Sequence, residues 1–237
     1  MGTLRLVRHG QASYGAANYD VLSPTGVAQA AALGRAWATG RAAVDAIYTG
    51  PMQRQRDTAT HALAAAAAAG WPLPTPVVLD ELAEYPAFEL LGRCLPQVVR
   101  DEPALAGLVT GGRVDPALAD RALWKVVDAW TQGTLDTGAL ETFAQFVARV
   151  ERAVDRMIAP GAGGGRVVVA VTSGGPIGVA ARLALGLDAR ATVNLWRLVR
   201  NGSVSELLWR HRGAGRELSL LGWNHVDHLA DELVTYR

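Results

Sequence analysis

Cysteine is nearly absent, with Cys94 the only one in 237 residues. One thiol cannot close an internal bridge, and Cys94 stands in no metal-ligand spacing, which argues against a disulfide scaffold or thiolate zinc site and fits a reducing compartment. Cys94 is expected to be a buried small apolar residue. Lysine is as scarce: Lys125 is the only one among 23 basic residues, a bias read here as coding composition. The net charge is +1, and no basic stripe with interleaved aromatics occurs, so nucleic acid and anionic membrane surfaces are not expected partners. Long hydrophobic runs are missing too. The alanine-rich stretch Ala62 to Ala69 falls far short of the roughly 20 residues that span a bilayer. Thr3 to Arg8 enters a charged strand pattern without the apolar core and small-residue cleavage site of a signal peptide, so the expected location is cytoplasmic.

What is present is ordinary for a folded chain: 50% apolar and 19% charged residues, at a length that suits one domain over residues 1–237. Leu4 to Val7 reads as a strand. Ser23-Pro24 opens a helix, the hydroxyl suited to the N-cap and proline to the first turn, with Val27, Ala30, Leu33 and Trp37 at helical spacing. Val44 to Tyr48 repeats the strand, and a helix runs through Thr58 into the alanine tract. Trp71-Pro72-Leu73-Pro74 ends it, and Pro76 to Leu79 reads as a short strand. From about residue 85 to 137 the pattern breaks into short helical stretches, with Leu123, Trp124, Val127 and Trp130 on one face, and reads as an inserted helical cap. A longer helix follows from Leu140 to Ile158, then a glycine joint at Gly161 to Gly165.

Val167 to Val171 is unbroken apolar, as in a strand buried on both faces. Ser173-Gly174-Gly175-Pro176 turns into a helix over Ile177 to Leu185, with Pro176 in its first position, and Val204 to Trp209 and Leu218 to Leu221 close the pattern. The alternation predicts an α/β fold: a three-layer α/β/α sandwich with a mostly parallel central sheet and the helical cap. Ligands of such sheets collect at the carboxyl ends of the strands, so the loops at Arg8 to Ser13, Thr49 to Arg56 and Thr172 to Pro176 are expected to meet.

Arg8-His9-Gly10 at the end of the first strand sets an imidazole between an arginine and a glycine turn, which points to anion chemistry. Leu6-Val7-Arg8-His9-Gly10-Gln11-Ala12, Tyr19 to Gly26, Gly50 to Ala59 around Arg54, Leu82-Ala83-Glu84, and Asn224 to Leu229 together resemble the histidine phosphatase superfamily, also called phosphoglycerate mutase-like, across essentially the whole chain in order. The resemblance implies that His9 is the nucleophile that becomes a phosphohistidine, splitting one displacement into two. It implies that Arg8 and Arg54 grip the phosphoryl oxygens with bidentate forks, and that Glu84 donates the proton to the leaving group. Helical geometry turns Arg56 roughly 200° away from Arg54. Glu81 is the competing carboxylate.

The sequence departs from the family at its second histidine, whose place is taken by Ser173. A serine can donate one hydrogen bond to a phosphoryl oxygen but brings no positive charge, and a lost preorganised donor costs about 10²–10³ in rate. The Gly174 and Gly175 N–H groups at a helix start are expected to compensate in part. His225 and His228 are candidates for a replacement imidazole, but tail histidines usually cap or pair at the surface, and that is the favoured reading. Gln11, Ser13, Tyr14 and Tyr19, with Asn18 and the cap, are expected to line the substrate entrance.

The resulting expectation is a cytoplasmic, metal-independent phosphomonoesterase without a cofactor, acting on a small phosphorylated substrate or a phosphoprotein. A catalytically impaired phospho-ligand binding protein is the alternative. A phosphoglycerate mutase-type phosphotransferase ranks lower, because Gln11-Ala12-Ser13-Tyr14-Gly15 does not reproduce the longer segment of the mutases. Ser173 at a strand-to-helix turn also raises a serine hydrolase, but that motif needs glycine where the chain has Val171. Substrate identity and oligomeric state stay open.

Overall fold

The structure is a computed structural model that describes residues 1–13, 18–100, 102–109, 115–159, 165–213 and 215–236. Its centre is β4 (Val167–Thr172), flanked by β1 (Gly2–Arg8) and β2 (Ala46–Thr49). Both neighbours run parallel to it, with Leu4 opposite Val168 and Arg8 opposite Thr172 on one side and Ala46 opposite Val168 on the other. The six-stranded sheet has the order β3-β2-β4-β1-β5-β6, where β3 is Val77–Val78, β5 is Val204–Arg212 and β6 is Gly215–His225. β5 alone runs against β1, and β6 returns beside it as a hairpin.

Alternation along the strands builds the layers. Val169 and Val171 of β4, with Val7 and Ile47, pack on α1 (Pro24–Thr39) and α2 (Gln53–Ala68) through Leu33, Trp37, Ala59 and Ala62. Val168 and Ala170, with Leu4 and Leu6, face α6 (Phe143–Met157) and α7 (Gly174–Leu185) through Val154, Met157, Ile177 and Ala180. Val168 to Val171 have no exposed surface, and each buried valine contributes about 1.5–3 kcal/mol relative to leaving it in water. The three-layer α/β/α sandwich with a mostly parallel sheet is therefore the fold.

The helical segment consists of α3 (Ala87–Val98), α4 (Ala106–Val109) and α5 (Pro116–Thr131). Its core continues into α6, α7 and α8 (Ala189–Trp196) through Val126, Trp130, Phe143, Phe146, Val179 and Trp196. Tyr85 stacks between Trp130 and Trp196, with ring centroids 5.4 and 5.3 Å away. Cys94 is fully buried in this cluster.

Several boundaries differ from the sequence expectation. β2 starts at Ala46 rather than Val44, β3 keeps only two exposed residues of Pro76 to Leu79, and α6 starts after the N-cap Thr142 rather than at Leu140. β5 and β6 extend into a hairpin much longer than Val204 to Trp209 and Leu218 to Leu221. α8, capped by Asp188, is additional. α7 begins at Gly174, so Pro176 is its third residue rather than its first. The proposed joint at Gly161 to Gly165 lies outside the described residues apart from Gly165.

Candidate active site

His9 leaves the end of β1 and is 4% exposed. Its backbone N–H donates to the Thr172 carbonyl at 2.8 Å, so the β1–β4 ladder runs one residue past the last strand pair. Behind it, the turn at Asn201 to Ser203 holds the strand end: Gly202 N–H reaches the carbonyls of Arg8 and His9, and Ser203 O accepts from Arg8 N. The close turn after His9 requires glycine, because a Cβ on Gly10 would lie 2.4 Å from the Gly26 carbonyl oxygen.

The imidazole has one fixed tautomer. Nδ1 lies 2.7 Å from the Gly10 carbonyl, which can only accept, so Nδ1 carries the proton. Nε2 is then a lone pair, and it receives the Nε–H of Arg54 at 3.1 Å. Burial, with the Arg54 and Arg8 guanidiniums close by, holds the ring well below the ordinary imidazole range, so it is neutral.

Arg54 is 5% exposed in the first turn of α2. Its Nη1 donates to Asp20 Oδ1 at 2.7 Å, and its guanidinium lies over the Tyr19 ring at 5.4 Å. Asp20 also accepts from Gln53 N at 2.8 Å, capping a helix that has no acidic residue in its own first turn. Asp20 was not singled out from the sequence, although a short acid facing a bare helix start is the usual sign of a cap. Arg56 is exposed, one helical step past the site.

Arg8 Nη1 donates to the carbonyls of Val199 and, at 3.0 Å, Tyr236. Its Nε is buried without a hydrogen-bond partner among the described residues. Such an orphaned cationic donor costs free energy until an acceptor arrives.

Glu84 comes from the loop after β3. Oε2 accepts from Gly175 N at 3.2 Å and Oε1 from Tyr85 N at 3.1 Å. Burial pushes its carboxyl above the ordinary range, against the Gly175 N–H and the Arg54 and Arg8 charges, which pull it down. Glu81, the competing carboxylate, points to Arg156 at 2.6 Å and is held below the ordinary range, first by its own backbone N–H and then by that guanidinium. The Gly175 N–H thus serves the acid rather than an anion.

Ser173 is fully buried, and its Oγ accepts from Gln55 Nε2 at 2.8 Å. Gln55 is also fully buried and lies beside the serine, and nothing in its local sequence marks it as part of the site. Among the described residues no histidine bonds to Ser173, so the hydrolase geometry is not assembled. Gln11 Oε1 accepts from the Ser23 hydroxyl at 2.8 Å, and the Ser13 backbone N–H donates to Val21 O at 2.9 Å, bonds that shape the loop. Tyr19 meets Phe88 of α3 edge to face at 5.6 Å, which brings the loop and the helical segment together at the site. Tyr14 lies outside the described residues.

His225 and His228 are elsewhere: they line a cavity of about 380 Å³ with Arg5, Trp37, Glu206 and Asp227. No group of three or more His, Cys, Asp or Glu among the described residues is placed to hold a metal ion. Among those residues no helix is long and apolar enough to cross a membrane.

The family model of the histidine phosphatase superfamily (branch 1) matches residues 4–107 and 112–224. A mycobacterial glucosyl-3-phosphoglycerate phosphatase in complex with inorganic phosphate superposes with a TM-score of 0.63 at 22% identity, over 96% of this chain and 99% of that one. A phosphoglycerate mutase from Bacillus anthracis gives 0.63 at 17% identity, over 95% and 94%. A mutant phosphoserine phosphatase from Entamoeba histolytica, in complex with phosphoserine, gives 0.57 at 17% identity, over 97% and 100%. No curated protein sequence matches the chain. Because that family model spans nearly all of its length, the chain belongs to the histidine phosphatase superfamily, branch 1.

Proposed function

We propose that the protein is a phosphomonoester hydrolase that works through a phosphohistidine on His9. The observation that carries this reading is the neutral imidazole with Nδ1–H locked on the Gly10 carbonyl and Nε2 directed at a buried guanidinium. In the unliganded site the Arg54 Nε–H rests on the Nε2 lone pair. An incoming phosphoryl oxygen takes over that donor and frees the nitrogen, while a second oxygen satisfies the orphaned Nε–H of Arg8. Nε2 then attacks phosphorus in line, the P–O bond breaks, and Glu84 gives its proton to the leaving alkoxide. In the second step Glu84 takes a proton from water, the hydroxide displaces His9, and the P–N bond breaks to release orthophosphate. Charge spreading over the equatorial oxygens is met by Arg8, Arg54, Ser173 and the start of α7 at Gly174.

The substrate class is a small phosphomonoester, reached past Tyr19 and Phe88, and neither metal nor cofactor enters the scheme. One observation favours a second reading, a phospho-ligand binding protein with little turnover: Ser173 contributes a neutral donor where the family has a histidine. Hydrolysis of p-nitrophenyl phosphate by the wild type and by His9→Ala separates the two. Turnover that disappears with His9 supports the hydrolase. Inorganic phosphate bound by both proteins with no turnover in either supports the binder and overturns the hydrolase.

A further inference from the structure

The Gln55 carboxamide has one admissible orientation. Met52 N–H can only donate and the Leu82 carbonyl can only accept, so Oε1 faces Met52 at 3.2 Å and Nε2 faces Leu82 at 3.1 Å. The second Nε2 hydrogen falls on Ser173 Oγ at 2.8 Å. Ser173 is therefore the acceptor in that bond, and its own O–H proton is left over. It is not spent on capping α7, and no acceptor takes it among the described residues. Both side chains are fully buried, so water does not compete for the arrangement.

The placement of Ser173 decides where that proton goes. β1 and β4 are in parallel register up to Arg8 and Thr172, and His9 and Ser173 are the next residue of each strand. Gln55 follows Arg54, whose Nε lies 3.1 Å from His9 Nε2. Ser173 thus leaves β4 at the level where His9 leaves β1, and the residue that pins it adjoins the one that donates to His9 Nε2.

We propose that Gln55 is a positioning residue that turns Ser173 into a committed hydrogen-bond donor to the phosphoryl group. A serine hydroxyl free to rotate divides its proton between several acceptors, whereas one pinned from behind by an amide N–H presents it in one direction without reorganisation at the moment of transfer. Gln55 supplies no charge and touches no substrate; it acts through Ser173. This rests on the phosphoryl-transfer reading above.

The experiment is a double-mutant cycle with Ser173→Ala, Gln55→Leu and the double variant, read as kcat and KM on p-nitrophenyl phosphate beside wild type and His9→Ala. Leucine is an apolar replacement that carries neither amide group, and the Leu82 carbonyl keeps the Thr172 hydroxyl as a donor at 2.7 Å. Gln55→Met, flexible and of similar volume, carries the same comparison if the leucine variant does not fold. Each single variant is expected to lower kcat about 10²-fold with KM nearly unchanged, since the lost donor acts on transition-state charge. The double variant is expected to be no slower than either single one. A Gln55→Leu enzyme that keeps the wild-type kcat, or losses that multiply in the double variant, overturns the proposal while leaving the His9 mechanism standing. If the wild type shows no His9-dependent turnover, the hydrolase reading falls, and vanadate affinity takes over the test. An equal, non-additive loss of vanadate binding in the two variants supports the pairing, and an independent loss overturns it.

Discussion

Gly175→Ala puts one methyl group at the second position of α7, where the new Cβ would lie 2.2 Å from Glu84 Oε1, 3.0 Å from Phe146 Cζ and 3.1 Å from Tyr85 Cδ1. The backbone itself has no objection, since Gly175 is helical and alanine is favoured there by about 1 kcal/mol. Phe146 is fully buried and Tyr85 is stacked between two tryptophans, so neither gives way. The Glu84 carboxylate must therefore retreat by about 1 Å to reach ordinary van der Waals contact, and its bond to the Gly175 N–H breaks. Overpacking of this kind costs about 1–3 kcal/mol, which the helix preference offsets in part, leaving a net loss of about 1 kcal/mol.

A misplacement of about 1 Å costs a reacting group about 10²-fold. The loss is confined to substrates that need the proton. With an alkyl phosphate, whose leaving alkoxide is strongly basic, kcat/KM is expected to fall about 10²-fold. With p-nitrophenyl phosphate, whose phenolate leaves unaided, the rate of phosphoenzyme formation is expected to change by about threefold or less. Rapid-quench measurement of the first turnover on both substrates reads the difference. Equal losses on the two, or an unaffected alkyl substrate, would refute the assignment of Glu84 as the proton donor.

The same assignment fixes a pH dependence: kcat/KM on an alkyl phosphate rises through the depressed His9 pKa and falls through the raised Glu84 pKa, and Glu84→Gln abolishes the falling limb together with most of the rate. His9 also links folding to acid. Its folded pKa lies below that of the unfolded chain, so the unfolded state takes up the proton first as pH falls from about 6.5. Thermal melts are expected to show wild type losing stability between there and the folded pKa, about 1.4 kcal/mol for each unit of depression, while His9→Asn loses less. Arg54→Lys cannot donate to His9 Nε2 and Asp20 from one planar group, and kcat is expected to drop about 10²–10³-fold even though the charge is kept. Trp130→Ala removes a fully buried ring that touches Tyr85, Phe143 and Phe146, and chemical denaturation is expected to register a loss of about 3–5 kcal/mol.

The parts of the fold that were legible in the sequence are those written in local chemistry. Ser23-Pro24 starts α1 with Ser23 Oγ accepting from Gly26 N, as a cap and a first-turn proline dictate. The valine run of β4 is buried on both faces because it sits mid-sheet. The features that were not legible depend on distant neighbours. Gly174-Gly175-Pro176 reads as a turn by propensity, yet it is the first turn of α7. Glycine suits the second position because a Cβ on Gly175 would lie 2.2 Å from Glu84, and one on Gly174 would sit tightly, 3.3 Å from the Trp196 carbonyl, contacts no local rule reports. α8 buries only Thr192, Val193 and Trp196, too few apolar positions to show a helical period. At the candidate site, His9, Arg54 and Glu84 stand out as residue types suited to phosphorus. Gln55 and Asp20 do not, because a buried carboxamide and a capping carboxylate acquire meaning only from what lies opposite them.

The Leu82 carbonyl accepts from both the Thr172 hydroxyl and the Gln55 carboxamide, so one oxygen ties the segment leading to the acid to the central strand and to the helix carrying Arg54. Every member of that brace is uncharged. Raising ionic strength is therefore expected to screen the guanidiniums from an approaching anion while leaving the spacing between Glu84 and His9 as it is.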